Sequence, residues 1–359
     1  MSDVAIVSCE TYEEEKVKKA IELIIGKTGF PDVKNKSVLL KPNILSDAIT
    51  EKAITTNPVV LSAMIQIVKE RGAAKIFVGD SPSIQKKHLE PTNCGIFQVC
   101  EKEAVEWVDF TKDPIKKKLP YVNHSIYMAA ILDNVDIVIN LPKFKTHELM
   151  LMTGAVKNLF GTVPGLRKSP MHVRHPSRGS FAKLVCGVFS QCHVDYALMD
   201  GIVGMEGAGP ANGKPRNVGL LLGSSDCVAL DIAAATIMGY NPLSIPVNVF
   251  ALKVGLTPTT NIDEITYPLI NPRSIILSDF LRCGGKKIEE GDNENFTRKP
   301  PTFIHETCIQ CGRCIEICPA QAIVMKDKKV ILTPEKCIRC YCCHEVCPVG
   351  AIEIDRDTE

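Results

Sequence analysis

The feature that most constrains this chain is a pattern of cysteines that occurs twice near its carboxy terminus. The segments TCIQCGRCIEICPAQAI and KCIRCYCCHEVCPVGAI both follow C-x2-C-x2-C-x3-C-P, and they align at one constant offset. A repeat this regular indicates two copies of one small structural unit. The chain has 16 cysteines, and half of them occupy these pattern positions.

Three kinds of site compete for such cysteines: zinc sites, a disulfide knot and iron–sulfur clusters. Zinc sites usually combine two separated C-x2-C pairs and lack both the third cysteine in register and the final C-P. The amino terminus MSDVAIVSCETYEEEK has no basic region followed by an apolar stretch, so we expect no signal peptide. We therefore expect a reducing, cytoplasmic location, where disulfides are rare.

The cysteine spacing favours two 4Fe-4S clusters with crossed ligands. In such sites three cysteines of one run bind one cluster, and the fourth binds the cluster of the other run. The predicted ligands of the first cluster are Cys308, Cys311, Cys314 and Cys347. Those of the second cluster are Cys337, Cys340, Cys343 and Cys318. Cys342 is a further cysteine beside Cys343, and we expect it to pack as a small apolar residue.

The segment 303–354 resembles the bacterial-type ferredoxin with two 4Fe-4S clusters. The resemblance implies a small α+β ferredoxin-like domain with short hairpins, which passes single electrons at low potential. One such hairpin is predicted to join Ile323–Met325 to Val330–Leu332. This chemistry suits an oxygen-poor cytoplasm, as in an anaerobe.

Composition divides the chain into three parts. Residues 283–302 are rich in glycine, proline and charge and poor in apolar residues, which is typical of a linker. We therefore predict a large domain at 1–282 and the ferredoxin-like domain at 303–359.

The large domain alternates short apolar runs with helical periodicity. The predicted strands are Val4–Ser8, Val38–Leu40, Lys75–Val78, Val105–Asp109, Asp136–Asn140, Ala197–Met199 and Val218–Leu222. The clearest helix begins at Pro58, after the N-cap Asn57, and ends near Gly72. This alternation predicts an α/β fold with a mostly parallel sheet flanked by helices.

Polar residues follow several of these strands. Ligands of open α/β sheets bind beyond the carboxyl ends of the strands, so these residues are the candidates for a site. Four lysines would attract a carboxylate or phosphate, and the others could exchange protons or form hydrogen bonds. The candidates are Lys41, Asn43, Asp80, Lys143, Lys145, His147, Lys157 and Asp200. Each also has a structural alternative: a helix cap, a turn or a solvated rim.

The large domain resembles a widespread domain family of unknown function that often carries a ferredoxin at one end. The segments that carry the resemblance are KPN, GDSP, INLPKFKTHELMLMTGAVKNLFGTVPG and DGIVGMEGAGP. The family implies no agreed reaction. No GxxxxGK[ST] phosphate loop and no strand-linked GxGxxG occur, which disfavours a P-loop ATPase and a Rossmann nicotinamide enzyme.

Two functions remain open from the sequence. The first is a ferredoxin-fused oxidoreductase, in which the clusters exchange electrons with a large domain that binds an anionic small molecule. The alternative is a non-catalytic electron carrier or complex subunit, whose large domain docks a redox partner protein. The formal net charge of +1 argues against nucleic acid as a partner. The apolar runs are far too short for a membrane span.

Overall fold

The computed structural model describes residues 2–82, 91–283 and 298–355. Most of the predicted linker 283–302 lies outside these residues.

Alternating strands and helices build the amino-terminal part. The strands are β1 (Ala5–Ser8), β2 (Ser37–Pro42), β3 (Lys75–Asp80), β4 (Glu106–Asp109), β5 (Ile115–Lys118), β6 (Ser125–Met128), β7 (Ile137–Leu141), β8 (Lys143–His147), β9 (Leu151–Met152), β10 (Tyr196–Glu206) and β11 (Lys214–Ser224). The helices are α1 (Glu14–Ile25), α2 (Pro58–Glu70), α3 (Ile96–Lys102), α4 (Gly154–Asn158), α5 (Met171–Arg174), α6 (Arg178–Phe189), α7 (Cys227–Ile237) and α8 (Pro246–Lys253).

One mixed sheet organises these elements. Its strand order is β1-β11-β10-β7-β2-β3-β4, and β8 and β9 attach beside β10. The pairs from β10 through β7, β2 and β3 to β4 are parallel, whereas β1 and β11 form an antiparallel edge. The predicted α/β fold with a mostly parallel sheet is therefore confirmed.

Helices cover both faces of this sheet because the residues of its central strands are apolar on both sides. In β2, Leu39 packs into the hydrophobic cluster that contains α6 and α7, while Val38 and Leu40 pack into the cluster that contains α1 and α2. Successive side chains of a strand point to opposite faces, so a continuous apolar run requires a helical layer on each side.

The start of α2 follows the sequence prediction. The Asn57 side chain accepts a hydrogen bond from the Val59 amide at 2.9 Å, and Pro58 takes the first helical position. The end of α2 is followed by Gly72, whose φ of 82° favours glycine. This helix begins and ends where its capping residues predict.

The predicted end of the strand at 197–199 is wrong. β10 continues to Glu206 and pairs with β11 as a long hairpin, with a bulge between Gly201 and Val203. Asp200 therefore lies inside a strand rather than in a loop after one. Lys143–His147 also forms a strand, β8, which pairs with β10.

The carboxy-terminal part is a small α+β unit. Its elements are β12 (Thr302–Phe303), α9 (Arg313–Ile317), β13 (Ile323–Lys326), β14 (Lys329–Leu332), α10 (Cys342–Glu345) and β15 (Ile352–Glu353). β13 and β14 form a hairpin, and its turn residues Asp327 and Lys328 both have positive φ. β12 pairs with β15, which brings the two ends of the unit together.

Candidate functional site

A cavity lies where the carboxyl ends of β2, β3 and β8 meet the carboxy-terminal unit. Its volume is about 70 Å³, which is room for about half a dozen water molecules or one small molecule. The wall from the large domain includes Asn43, Asp80, Ser81, Lys145, His147, Thr153, Lys157, Asn158, Lys168 and His172. The opposite wall is formed by Ile317, Cys342, Glu345 and Val346. Both parts of the chain therefore contribute to one site.

Five of the eight candidates from the sequence line this cavity. They are Asn43, Asp80, Lys145, His147 and Lys157. The structure places the other three, Lys41, Lys143 and Asp200, outside the lining and in buried ion pairs.

Lys41 holds Asp80 in place from behind the cavity wall. Its Nζ lies 2.9 Å from Oδ1 of Asp80, and both side chains are buried. Asp80 also accepts hydrogen bonds from the amides of Ile44 at 2.7 Å and Ser81 at 2.8 Å. A Cβ atom on Gly161 would lie 2.3 Å from Asp80 Oδ1, so only glycine leaves room for this pair. The loops after β2 and β3 are thus fixed to each other by one carboxylate.

Lys143 and Asp200 form a second buried pair under the sheet edge. Lys143 Nζ lies 2.6 Å from Asp200 Oδ2, and the Tyr12 hydroxyl donates to Asp200 Oδ1 at 2.9 Å. The amide of Asn57 donates to the same carboxylate at 2.9 Å. Burial lowers the pKa of Lys143, and the adjacent Asp200 opposes that shift. This network ties the start of α2 to β8 and β10.

Three lysines of the cavity have no carboxylate partner at ion-pair distance among the described residues. Lys145 donates to the carbonyls of Ile54 at 2.8 Å and Pro210 at 3.4 Å, and Lys168 donates to the carbonyl of Ser81. Burial lowers the pKa of Lys145 and of Lys157, and it lowers the pKa of Lys168 to about 7. A buried ammonium group without a counterion is stabilised by any anion that reaches it.

Sequence reasoning missed Lys168 and His172. Neither residue follows a strand: Lys168 ends a 3₁₀ turn at Gly165–Lys168, and His172 lies on α5. His172 stacks on Phe181 at a centroid distance of 4.3 Å, and burial lowers its pKa to about 3, so the imidazole is neutral. The only available signal was the pair His172-x-x-His175, which alone is no evidence for a site.

His147 joins the two walls of the cavity. Its Nδ1 accepts a hydrogen bond from the Leu149 amide at 3.1 Å, so the proton of the neutral ring sits on Nε2. Nε2 lies 3.3 Å from Oε1 of Glu345 in the carboxy-terminal unit. Burial and the nearby Lys157 and Lys145 keep the pKa of His147 well below its ordinary value. The contact therefore involves a neutral imidazole.

Other contacts hold the carboxy-terminal unit against the large domain. The side-chain amide of Asn212 donates to the backbone carbonyl of His344 at 2.6 Å. The guanidinium of Arg298 donates to the carbonyls of Arg339 at 2.8 Å and Pro176 at 2.5 Å, and so bridges the two parts.

The predicted cluster ligands line two separate cavities of the carboxy-terminal unit. One cavity is lined by Cys308, Cys311, Cys314 and Cys347. The other is lined by Cys318, Cys337, Cys340 and Cys343, together with Cys342. All 16 cysteines lie in the described residues, and none forms a disulfide. Within the described ranges, no three His, Cys, Asp or Glu side chains are close enough to share a single metal ion.

The two cysteine loops repeat the same backbone conformation. Gln310 and Arg339 occupy equivalent positions with φ of 57° and 53°, and their amides point at Cys308 Sγ and Cys337 Sγ, each at 3.4 Å. The amides of Ala322 and Ala351 point in the same way at Cys318 and Cys347, at 3.3 and 3.2 Å. Amides directed at cysteine sulfur stabilise negative charge there.

Among residues 2–82, 91–283 and 298–355, every helix is too short or too polar to cross a lipid bilayer.

Comparison with solved structures gives weak likenesses. The lactate racemase apoprotein of Thermoanaerobacterium thermosaccharolyticum matches with a TM-score of 0.40 and 10% identity, over 63% of this chain and 54% of that one. A protein from Thermotoga maritima matches with a TM-score of 0.39 and 12% identity, over 58% of this chain and 55% of that one. The chain thus spans about half the length of each structure, and at these scores neither match bears on function.

Sequence comparison is more informative. The Thylakoid-associated protein sll1697 of Synechocystis sp. is 32% identical over 284 residues, which cover 78% of this chain and 87% of that protein. The family described as Domain of unknown function (DUF362) matches residues 38–236, and the 4Fe-4S dicluster domain matches residues 302–354. The chain therefore belongs to the DUF362 family and carries a carboxy-terminal 4Fe-4S dicluster domain.

Proposed function

We propose that this chain is an iron–sulfur oxidoreductase in which the dicluster domain exchanges electrons with a small anion held in the cavity between the two domains. The observation that carries the proposal is the position of Cys342. This residue lines both the interdomain cavity and the cysteine cavity of Cys318, Cys337, Cys340 and Cys343. A molecule bound in the interdomain cavity would be separated from the second set of ligands by little more than one side chain.

The residues present fit two 4Fe-4S clusters. One cysteine cavity offers four thiols and the other offers five, including Cys342, and each contains one of the sets that the crossed spacing predicts. In both sets a backbone amide points at a cysteine sulfur atom, and this arrangement suits sulfur that carries negative charge. When bound, such clusters accept and release single electrons.

The lysines of the large domain account for the charge of the ligand. Lys145, Lys157 and Lys168 line the cavity, and in the described part of that lining Glu345 is the one carboxylate without a lysine partner. An anion in the cavity would stabilise the protonated forms of these three lysines. Lys41 already compensates Asp80. Within this arrangement Lys157 is the best candidate for direct contact, because it donates no hydrogen bond to the described residues.

Cysteine variants test the assignment of the cluster ligands. After anaerobic reconstitution we expect about eight irons per chain, and about four in either Cys347→Ser or Cys318→Ser. The two variants should retain different clusters and give different EPR spectra when reduced. The double variant Cys308→Ser/Cys347→Ser should still retain about four irons, because the crossed assignment gives both residues to one cluster. Loss of both clusters in this double variant would contradict the crossed assignment.

Electron exchange with a small molecule is tested on reduced full-length protein. The low-molecular-mass fraction of a cell extract is added anaerobically, and oxidation of the clusters is followed by absorbance. We expect the wild type to be oxidised faster than Lys157→Met, because the variant loses one cation of the site. Equal rates would refute the proposed site and favour the alternative of a large domain that only docks a partner.

A further inference from the structure

The cavity also constrains the uncharged part of its ligand, through the amide of Asn43. This side chain is 8% exposed, lines the cavity, and its Oδ1 accepts no hydrogen bond within the described part of the chain. A buried acceptor without a donor costs free energy unless a bound molecule or water supplies the hydrogen.

A relay of three asparagines fixes the direction of this amide. Asn140 Nδ2 donates to the carbonyl of Ala155 at 2.9 Å, and that carbonyl can only accept. Asn140 Oδ1 must therefore face Asn158, whose Nδ2 donates to it at 2.7 Å. Asn158 Oδ1 in turn accepts from Asn43 Nδ2 at 2.8 Å.

The relay leaves no freedom at its last member. Flipping the amide of Asn43 would set its Oδ1 against Asn158 Oδ1, and flipping all three would set Asn140 Oδ1 against the Ala155 carbonyl. The backbone thus dictates that an acceptor, rather than a donor, is left over at Asn43.

Two further residues of the lining have a buried polar atom without a hydrogen-bond partner among the described residues. They are Thr153, at Oγ1, and His172, at Nδ1. The lysines described above lie on this lining as well, so the site combines positive charge with hydrogen-bonding groups that await a partner.

We infer that the ligand is a small organic anion that also carries an O–H or N–H donor, with the anionic group at the lysines and the donor at Asn43 Oδ1. This inference rests on the proposed function for the identity of the cavity as the ligand site. It goes beyond the proposed function, because the charge of the lysines alone would allow any anion of suitable size to bind.

The test compares L-malate with succinate, which share two carboxylates and differ by one hydroxyl donor. L-aspartate is included as an acid whose donor is an ammonium group, which also adds one positive charge. Their binding to reconstituted full-length protein is measured by isothermal titration calorimetry. We expect malate, aspartate or both to bind about tenfold or more tightly than succinate, because succinate leaves Oδ1 unpaired. Equal affinities, or no binding by any of the three, would overturn the inference.

Two asparagine variants locate the recognition of the donor, and a lysine variant locates the recognition of the anion. Asn43→Leu should bring the ratio of the affinity for malate to the affinity for succinate close to one, whereas Asn248→Leu should preserve this ratio. Asn248 is a matched control, since its Oδ1 is also buried and unpaired but lies on α8, away from the cavity. Lys157→Met should weaken the binding of all three acids and leave the ratio of their affinities unchanged. It is the variant to use if Asn43→Leu fails to fold. An unchanged ratio in Asn43→Leu would mean that a group other than Asn43 recognises the donor, and would also overturn the inference.

EPR spectra of the same samples, reduced, separate this inference from the proposed function. A donor-dependent affinity without any change in the cluster signals would support the ligand class and refute electron exchange. Perturbed cluster signals with equal affinities would do the reverse.

Discussion

Two lysines on one strand provide a direct test of how the site is built. Lys143 and Lys145 lie two residues apart on β8, and both are buried. Lys143 contacts a carboxylate, whereas the hydrogen bonds of the Lys145 side chain to described residues go only to backbone carbonyls. The same substitution, lysine to methionine, should therefore have different consequences at the two positions.

Lys143→Met should destabilise the fold strongly. It would leave the Asp200 carboxylate buried, with neutral donors from the Tyr12 hydroxyl and from the backbone amides of Asn57 and Ile202. Removing one partner of a buried ion pair typically costs about 3–5 kcal/mol of unfolding free energy, because the remaining charge is uncompensated. Replacing Asp200 by Asn in the same variant should recover a large part of that loss, since the buried charge disappears.

Lys145→Met should cost less than about 2 kcal/mol. The variant removes the lysine donor from two carbonyls, a loss of about 1–3 kcal/mol for each carbonyl left unpaired, and the 3.4 Å hydrogen bond to Pro210 is the weaker of the two. Part of this loss is returned because a buried ammonium no longer has to be desolvated. Its main effect should be on the cavity, where the affinity for malate should fall.

The assay is equilibrium denaturation of each reconstituted variant in guanidinium chloride, followed by circular dichroism. Unchanged m-values would license comparison of the midpoints. Calorimetric titration with malate gives the affinity. Equal destabilisation by the two variants, or a stable Lys143→Met, would refute the division between structural and ligand-binding lysines.

Two further predictions concern pH and glycine. Because the pKa of Lys168 is lowered to about 7, anion affinity should be greatest below about pH 7 and decline above it by at most about tenfold per unit. Titrations near pH 6 and pH 9 check this, with a flatter profile expected in Lys168→Met; a constant wild-type affinity would contradict it. Gly161→Ala should destabilise by about 3–5 kcal/mol because it separates Lys41 from Asp80, whereas Gly179→Ala, with open space at its Cβ, should be neutral or stabilising by denaturation. Equal effects of the two alanines would contradict that reason.

Periodicity and spacing predicted the features that depend on local sequence. The apolar runs of β2, β3 and β7 are buried on both faces of the sheet. Because such runs are typical of parallel sheets covered by helices, they predicted the mostly parallel sheet. The carboxy-terminal domain was predictable because its cysteine pattern occurs twice at one constant offset. The assignment of each cysteine to a cluster stays a prediction.

The site was predictable only in part, because its geometry depends on contacts between distant segments. Asp200 was predicted to follow a strand, yet pairing with β11 carries β10 past it. Lys41 and Lys143 were also predicted to follow strands, but Lys41 lies within β2 and Lys143 begins β8. Whether a lysine contacts a carboxylate or a cavity is decided by its neighbours in space. The opposite wall, with Cys342 and Glu345, comes from the other end of the chain.

If the cavity holds the proposed ligand, that shared wall would couple ligand binding to the association of the two domains. Since Glu345 and Cys342 complete the cavity only when the dicluster domain is docked, a ligand that contacts both walls binds the docked state more tightly than any separated one. By thermodynamic linkage, the same ligand must stabilise docking by an equal factor. Ligand occupancy of the cavity and docking of the dicluster domain would then increase together. Electron transfer to the cavity would therefore occur chiefly when a ligand is bound there.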